Sequence, residues 1–323
     1  MIDKLNINPK NFDGPILVTG AGGCIGAWVI ALCLKSDIPV IAFDLKKNTQ
    51  RLKLLINDEE SRKIKWIEGD ISNSNILKTI IKKNDIRSII HLAALQVPFC
   101  ASDPIKGAKT NVVGTVNILE AVRENNLKRL VYASSVAAHG VANKKNYLAT
   151  LYGAYKLCNE NTANIFYQDW KVPSIGIRPG IVYGVGRDQG MTSKTTLATL
   201  AAAAKIDYTI PFSGPISALH AKEAAAAFIK AVSENRDQAN IFDLNGILTT
   251  VEKWIKILND IEPNSKITTR GTSIPFPFHF SDDPLKKYIG DYETIDLEYG
   301  IKSTFDCFKD LLKKGKISAK NIN

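Results

Sequence analysis

The sequence predicts an α/β fold in which helices cover both faces of a doubly wound parallel sheet. Up to about residue 180, short apolar runs alternate with segments of helix length, as expected of strand–helix–strand units. The runs are apolar at consecutive positions rather than at every second position, which is typical of strands buried on both faces. The first run also enters a glycine-rich turn that opens a helical segment.

The predicted elements follow one another at regular spacing along this first part. We predict strands at residues 16–19, 39–43, 65–68, 88–93, 129–133 and 174–178. Between them, helices are predicted at residues 26–34, 75–83, 112–124 and 154–170. The alternation predicts one large domain over residues 1–180.

The residue pattern changes after residue 180, where glycine and proline become frequent. A helix is predicted at residues 221–232 and a strand at 240–244, which ends at Asn245-Gly246. We therefore expect a smaller second part over residues 181–323. Within it, residues 221–246 are expected to return and pack on the first domain.

Composition excludes several classes of protein. The 323 residues include 42 Lys and Arg against 32 Asp and Glu, a formal net charge of +10. The lysines are spread along the chain without clustered basic runs or interleaved aromatics, so we expect no nucleic-acid partner. No apolar run approaches the ~18 residues that span a bilayer, and the start lacks a signal-peptide core. The excess charge therefore indicates at most an anionic small substrate.

Cysteine and histidine usage points to a cytoplasmic protein without a bound metal. The five cysteines are scattered and form no CxxC pair, which suits a reducing compartment. The four histidines are dispersed without the spacing of metal ligands, so we predict no metal site.

The glycine-rich turn predicts a dinucleotide site of the Rossmann type. Gly20, Gly23 and Gly26 form GxxGxxG directly after the first strand, and the helix N-terminus that follows attracts phosphates. Asp44 ends the second strand, where a carboxylate accepts hydrogen bonds from a ribose and repels a 2′-phosphate. This favours NAD over NADP, although Lys46 and Lys47 leave acceptance of NADP open.

A second motif predicts acid–base chemistry. Tyr152 and Lys156 form YxxxK and share one face of a helix. A neighbouring ammonium favours the phenolate, whose unperturbed pKa is near 10. Ser135 ends the preceding strand and supplies a hydroxyl. YxxxK alone is also typical of a surface pair on an amphipathic helix, so the accompanying glycine loop and serine carry the interpretation.

In this order, the motifs resemble the extended short-chain dehydrogenase/reductase superfamily, in its NAD-dependent epimerase/dehydratase branch. The likeness covers most of the chain, and four further segments carry it: residues 91–94, 111–115, 177–184 and 219–223. The resemblance implies a Rossmann domain that binds NAD, a C-terminal part that is mainly substrate-binding, and a homodimer paired through the helices near 112–124 and 154–170.

The resemblance also implies residue roles. Tyr152 would be the catalytic acid/base, Lys156 would hold the nicotinamide ribose, and Ser135 would bind the reacting oxygen. The cofactor-binding residues would be Gly20, Gly23, Cys24, Ile25, Gly26, Asp44, Asp70, Ile71, Leu92, Ala93, Ala94, Asn111, Tyr152 and Lys156. Candidate substrate contacts are Gln96, Ser135, Arg187 and Gln189.

Departures from the family pattern narrow the expected function. Val136-Ala137 stands where the dehydratases carry an Asp-Glu pair, which disfavours dehydration. Asparagine and arginine residues that hold a nucleotide diphosphate are also missing, which favours a smaller hydroxylated substrate. We expect an NAD-dependent oxidoreductase or epimerase acting on a sugar or a sugar-derived polyol or acid. The alternatives are a nucleotide-sugar 4-epimerase of the UDP-galactose type and a non-catalytic NAD-sensing protein.

Overall fold

The computed structural model describes residues 3–140, 148–275, 277–319 and 322. Its strands are β1 Ile16–Thr19, β2 Val40–Asp44, β3 Lys65–Glu68, β4 Ser88–His91, β5 Leu130–Ala133, β6 Ser174–Pro179, β7 Ile181–Tyr183, β8 Tyr208–Ile210, β9 Pro215–His220, β10 Ala239–Leu244, β11 Ile247–Thr250 and β12 Ile267–Thr269.

The helices alternate with the strands over the first part of the chain and surround the small sheets in the second. They are α1 Cys24–Lys35, α2 Gln50–Leu55, α3 Asp58–Arg62, α4 Ser74–Lys83, α5 Val97–Ser102, α6 Pro104–Ala108, α7 Gly114–Glu124, α8 Leu151–Trp170, α9 Lys194–Ala203, α10 Ala221–Val232, α11 Val251–Ile261, α12 Asp283–Ile289 and α13 Leu297–Lys313. Short 3₁₀ turns lie at Pro9–Asn11, Val136–His139 and Met191–Ser193.

The central sheet confirms the predicted fold class. Seven strands pair in the order β10-β6-β5-β4-β1-β2-β3, and every pairing is parallel. The direction of winding reverses between β1 and β4, where Ile16 lies opposite Val40 on one side and Ser88 on the other. A crevice opens beyond the carboxyl ends of the strands at such a reversal, and ligands of open α/β sheets bind there.

Two apolar layers hold the helices against this sheet. On one face α1 and α10 pack together, and fully buried Trp28 anchors the layer while its indole donates to the Val185 carbonyl oxygen at 2.9 Å. On the other face α4, α7 and α8 cover the sheet around Ile89 and Leu119. The sheet is therefore buried on both sides, as its apolar strands require.

Residues beyond 180 contribute to both parts of the structure. β10 completes the central sheet by pairing with β6, and α10 lies on α1. The rest forms a three-stranded sheet, β11-β9-β7, and a two-stranded sheet, β12-β8. A functional division at residue 180 stays a prediction. No helix within the described ranges has the length and apolarity to cross a membrane.

All four helices predicted in the first part begin at other residues than predicted; α1 and α4 begin two residues and one residue earlier, and the differences at α7 and α8 bear on the site. The chain before α7 forms a π-helical turn, Lys109–Val113, so the α-helix itself starts at Gly114 rather than at residue 112. α8 starts at Leu151, three residues before the predicted 154, because Thr150 caps it by accepting a hydrogen bond from the Gly153 N–H at 3.0 Å. The earlier start places Tyr152 inside the first turn of the helix.

A buried carboxyl group in α10 is expected to make the stability of the protein depend on pH. Burial raises the pKa of Glu223 to about 7, and the carboxyl accepts a hydrogen bond from the Ile295 N–H at 3.1 Å. As the pH rises, the unfolded chain loses this proton near its pKa of about 4.3, whereas the folded chain keeps the proton up to about pH 7. The resulting stabilisation is complete below the unfolded pKa and is lost as the pH rises through about 7.

We therefore expect the free energy of unfolding to fall by roughly 1–3 kcal/mol between about pH 5 and pH 8 from this group. Glu223→Gln keeps an acceptor for Ile295 and should flatten the dependence, measured by urea unfolding at each pH. The exposed Glu298→Gln serves as control and should leave the slope unchanged. Equal slopes in wild type and Glu223→Gln would contradict the assignment.

Candidate active site

A cavity of about 490 Å³ opens at the carboxyl ends of β1, β4 and β5. Its volume falls within the range usual for ligand sites. Most of the predicted site residues line it together: Gly20, Gly23, Cys24, Ile25, Gly26, Asp44, Asp70, Ile71, Leu92, Ala93, Ala94, Gln96, Ser135, Tyr152, Lys156 and Arg187. Of the other two, Asn111 lies behind the cavity wall and Gln189 lines an adjoining cavity.

The glycine loop is shaped by close backbone contacts. Gly20 has φ +68°, and a Cβ there would lie 2.7 Å from the Ala93 nitrogen. A Cβ on Gly26 would clash with the Gly20 carbonyl oxygen. Gly23 is the N-cap of α1 and gives no side-chain cap, so the first N–H groups of α1 stay available. Such a helix end suits a pyrophosphate.

Two acidic residues, Asp44 and Asp70, also line the cavity, and backbone and hydroxyl donors hold their carboxylates in place. Asp44 accepts from the Gly22 N–H at 2.8 Å and from the Leu45 N–H at 2.7 Å, so its carboxylate is oriented beside the glycine loop. Asp70 accepts from the Ser72 N–H at 2.9 Å and its hydroxyl at 2.8 Å. Uncapped helix donors at one side and an oriented carboxylate at the other fit the pyrophosphate and adenosine ribose of NAD.

Ser135, Tyr152 and Lys156 line the cavity on the side of β5, which β4 and β1 separate from Asp44 at the end of β2. Ser135 follows β5, and its Oγ accepts from the Ala137 N–H at 3.1 Å. Tyr152 and Lys156 lie in the first turns of α8, with the lysine Nζ 5.5 Å from the centre of the tyrosine ring. Nζ also donates to the Ala133 carbonyl oxygen. The Ser135 hydroxyl, the Tyr152 phenol and the Lys156 ammonium therefore belong to side chains that line the same cavity.

Burial dominates the ionisation of this group. It raises the pKa of Tyr152 above its ordinary value, while a hydrogen bond with Ser135 and the positive charge of Arg187 act in the opposite direction. Burial also lowers the pKa of Lys156 to about 8. The protein's own groups thus favour the protonated phenol on balance, and a further positive charge in the cavity would act towards the phenolate.

Two residues behind the cavity hold its walls. His91 links β4 to β1 through the Thr19 hydroxyl at 2.7 Å and to α7 through the Thr115 hydroxyl at 3.2 Å. Burial lowers the pKa of His91 to about 3, so the ring is neutral. Asn111, expected among the cofactor contacts, instead accepts from the Leu95 N–H at 2.7 Å and donates to the Leu95 carbonyl oxygen at 2.9 Å. Its amide is used to fix the loop after β4.

A buried charge network lies next to Ser135 and Lys156, and it was not predicted from the sequence. Glu160 is 1% exposed and receives two hydrogen bonds from the Arg178 guanidinium, at 2.7 and 2.6 Å, and a third from the Ser134 hydroxyl. The ion pair between Glu160 and Arg178 joins α8 to β6. Glu160 lies one helical turn from Lys156, and its partner Ser134 precedes Ser135 in the chain. The one feature of the sequence that could have pointed to Glu160 is its spacing, since it lies four residues after Lys156 on the same helix face.

An adjoining cavity of about 270 Å³ lies between the glycine loop and the segment after β7. Gln96, Arg187 and Gln189 line it, so three of the four predicted substrate contacts meet there, while Ser135 lines the larger cavity. Arg51, which was not predicted from the sequence, and Asp188 form its rim through an ion pair at 2.7 Å. Among the described residues no group of three or more His, Cys, Asp or Glu side chains is placed to hold a metal ion.

Known proteins resemble the chain in sequence and in fold. A UDP-glucose 4-epimerase of Pisum sativum is 28% identical over 135 residues, which cover 40% of this chain and 39% of that protein. The chain spans about two fifths of the length of the curated relatives it matches. Two solved structures, both near 20% identical, share the fold. UDP-glucose 4-epimerase of Thermotoga maritima has a TM-score of 0.77 at 21% identity, and L-threonine dehydrogenase of Clostridium difficile a TM-score of 0.78 at 20%.

These two structures cover 92% of the chain, which covers 99% and 98% of theirs. The family model of the NAD dependent epimerase/dehydratase family matches residues 16–244, a range that includes the glycine loop, Asp44, Ser135, Tyr152 and Lys156. Since this range is well over half of the 323 residues, the chain belongs to the NAD dependent epimerase/dehydratase family.

Proposed function

We propose that the protein is an NAD-dependent oxidoreductase or epimerase acting reversibly at a hydroxyl-bearing carbon of a sugar or a sugar-derived polyol or acid. The observation that carries the proposal is the convergence of Ser135, Tyr152 and Lys156 on the β5 side of the cavity, which β4 and β1 separate from Asp44. Membership of the family and the named epimerases and dehydrogenases among the similar proteins support it.

In this proposal each residue has a defined task. When bound, NAD supplies the acceptor of the substrate's hydride and the positive charge of its nicotinamide ring. Tyr152 removes the hydroxyl proton of the substrate, Ser135 holds the reacting oxygen by a hydrogen bond, and Lys156 holds the nicotinamide ribose. The glycine loop and the start of α1 bind the pyrophosphate, and Asp44 binds the adenosine ribose.

Asp70 and Ile71 are assigned to the adenine, and Leu92, Ala93 and Ala94 to the wall of the cofactor cleft. Gln96, Arg187 and Gln189 are assigned to the substrate. We also propose that residues 1–180 mainly bind the cofactor and residues 181–323 mainly the substrate. The five free cysteines are in keeping with a cytoplasmic location.

A turnover assay tests the proposal and separates its two forms. Purified protein is incubated with NAD and a panel of sugars, sugar acids and nucleotide sugars, and both NADH and product isomers are measured. Net NADH indicates a dehydrogenase, whereas interconversion of isomers without net NADH indicates an epimerase. No turnover with any compound, together with tight NAD binding, would instead support a non-catalytic NAD-sensing protein.

The second candidate is a nucleotide-sugar 4-epimerase. The curated relatives named UDP-glucose 4-epimerase favour it, since they match the chain at 28–33% identity. The missing asparagine and arginine of the nucleotide-binding pattern argue for a smaller substrate. UDP-galactose and UDP-glucose in the panel therefore decide between the two.

We further propose a homodimer formed through α7 and α8. Large apolar side chains are exposed on or just beside these helices, namely Val113 at 42%, Leu151 at 43%, Ile165 at 48% and Trp170 at 51%. Pairing of these helices with those of a second copy would remove such side chains from water. Ile165→Asp is expected to convert a dimer into a monomer, measured by light scattering after gel filtration. Ile206→Asp, a similar change at an exposed position on another surface, should leave the mass unchanged.

A further inference from the structure

Arg187 brings a positive charge into the site from a tightly turned segment. The chain after β7 has positive φ at Gly184, Gly186 and Gly190, so it bends around the arginine. Gln96 touches this segment closely, because a Cβ on Gly190 would clash with its side-chain oxygen. The guanidinium lines both the 490 Å³ cavity and the adjoining 270 Å³ cavity. Arg187 therefore lies where the two spaces meet.

This charge has no anionic partner in the described part of the chain. The guanidinium donates to the Gln96 side-chain oxygen at 3.4 Å and to the Thr192 hydroxyl at 3.3 Å, both long contacts to neutral groups. Its Nε is buried without a hydrogen-bond partner among the described residues. The neighbouring Asp188 is directed elsewhere, because its carboxylate accepts from Arg51 Nε at 3.0 Å and Nη2 at 2.7 Å.

Holding the Arg187 guanidinium in this position costs free energy unless a bound ligand supplies the missing hydrogen-bond acceptors. A partly buried cation without a counter-charge loses hydration that two long hydrogen bonds to neutral groups do not replace. A carboxylate or phosphate is the planar or multidentate acceptor that a guanidinium binds best. The side chains of Gln96 and Thr192 flank the same position and can donate to the oxygens that Arg187 leaves free.

We propose that Arg187 anchors an oxyanion subsite and that the substrate carries a carboxylate or phosphate beside its reacting hydroxyl. This inference rests on the proposed function for the position of that hydroxyl at Tyr152, which lines the same cavity as Arg187. Arg187 then contributes specificity, since neutral polyols of the same shape leave its charge unmatched.

The experiment measures binding of matched compounds to the NAD-saturated protein by calorimetry. One set is D-glucose, D-glucuronate and D-glucose 6-phosphate, and the other is D-glucitol, D-gluconate and D-glucitol 6-phosphate. The variants are Arg187→Gln, Arg187→Lys and, as control, Arg270→Gln, which removes an exposed arginine outside both cavities. The Kd for NAD is measured in every variant.

We expect at least one anionic member of a set to bind wild type about 10- to 100-fold more tightly than its neutral counterpart. Arg187→Gln should abolish this difference, Arg187→Lys should restore part of it, and Arg270→Gln should leave it intact. The Kd for NAD should stay within about threefold in all of them. Whether the carboxylate or the phosphate gives the larger difference identifies the natural anion.

Two results would overturn the proposal. One is equal binding of anionic and neutral compounds by wild type. The other is a tenfold or larger loss of NAD affinity in Arg187→Gln with the discrimination retained, which would assign Arg187 to the pyrophosphate of the cofactor. If Arg187-dependent anion binding is found but no compound is turned over, the subsite stands and the proposed reaction fails.

Discussion

Replacing Tyr152 by phenylalanine is expected to lower kcat by about 10²- to 10⁴-fold, the usual contribution of a positioned acid or base. The change removes the phenolic oxygen and keeps the ring, so the cavity wall between Ser135 and Lys156 should retain its shape. Binding of NAD, measured by calorimetry, should remain within about threefold of wild type, because the glycine loop and Asp44 are untouched.

Tyr155→Phe provides a matched control on the same helix. Its hydroxyl donates to the Pro104 carbonyl oxygen at 3.0 Å and does not line the cavity, so turnover should stay close to that of wild type. Unchanged turnover in Tyr152→Phe would refute the proposed acid/base. An equal loss in both variants would show that the loss reflects damage to α8 rather than chemistry at Tyr152.

Replacing Glu160 by alanine is expected to lower the free energy of unfolding by about 3–5 kcal/mol, the typical result of removing one partner from a buried ion pair. The change leaves the Arg178 guanidinium, whose side chain is 17% exposed, without the carboxylate that accepts two of its hydrogen bonds. It also removes the acceptor of the Ser134 hydroxyl. Urea unfolding followed by tryptophan fluorescence measures the change.

Two comparisons separate this effect from a general loss of charge. Asp310→Ala breaks an exposed pair with Lys314 on α13 and should cost less than about 0.5 kcal/mol. A Glu160→Leu/Arg178→Met double variant should lose less stability than the two single changes together, because it leaves neither Glu160 nor Arg178 without the other. Asp243, which lies 3.8 Å from Arg178, keeps its contact with His139 at 2.6 Å in this variant. Additive losses in the double variant, or a cost in Glu160→Ala no larger than in Asp310→Ala, would contradict the prediction.

Local chemistry in the sequence predicted the fold class, the glycine loop and the pair Tyr152 and Lys156, whereas the family resemblance supplied much of the remaining lining of the main cavity. Consecutive apolar positions in strands such as Ile16–Thr19 require burial on both faces, and that requirement leads to a parallel sheet covered by helices. The spacing of Gly20, Gly23 and Gly26 reflects backbone contacts within one turn. Tyr152 and Lys156 are neighbours on one helix, so their proximity also follows from local geometry.

Residues far apart in the chain acquired their environments only in the folded protein. Asn111 and Leu95 are 16 residues apart, and their paired hydrogen bonds depend on how the loop after β4 meets the π-helical turn. Arg51 and Asp188 are 137 residues apart, and their ion pair leaves Arg187 without an anionic partner. Such contacts have no sequence signature, because they are set by the packing of elements rather than by periodicity. The net charge of +10 therefore carried little information about the substrate, and the proposal of an anionic substrate rests instead on the position of Arg187.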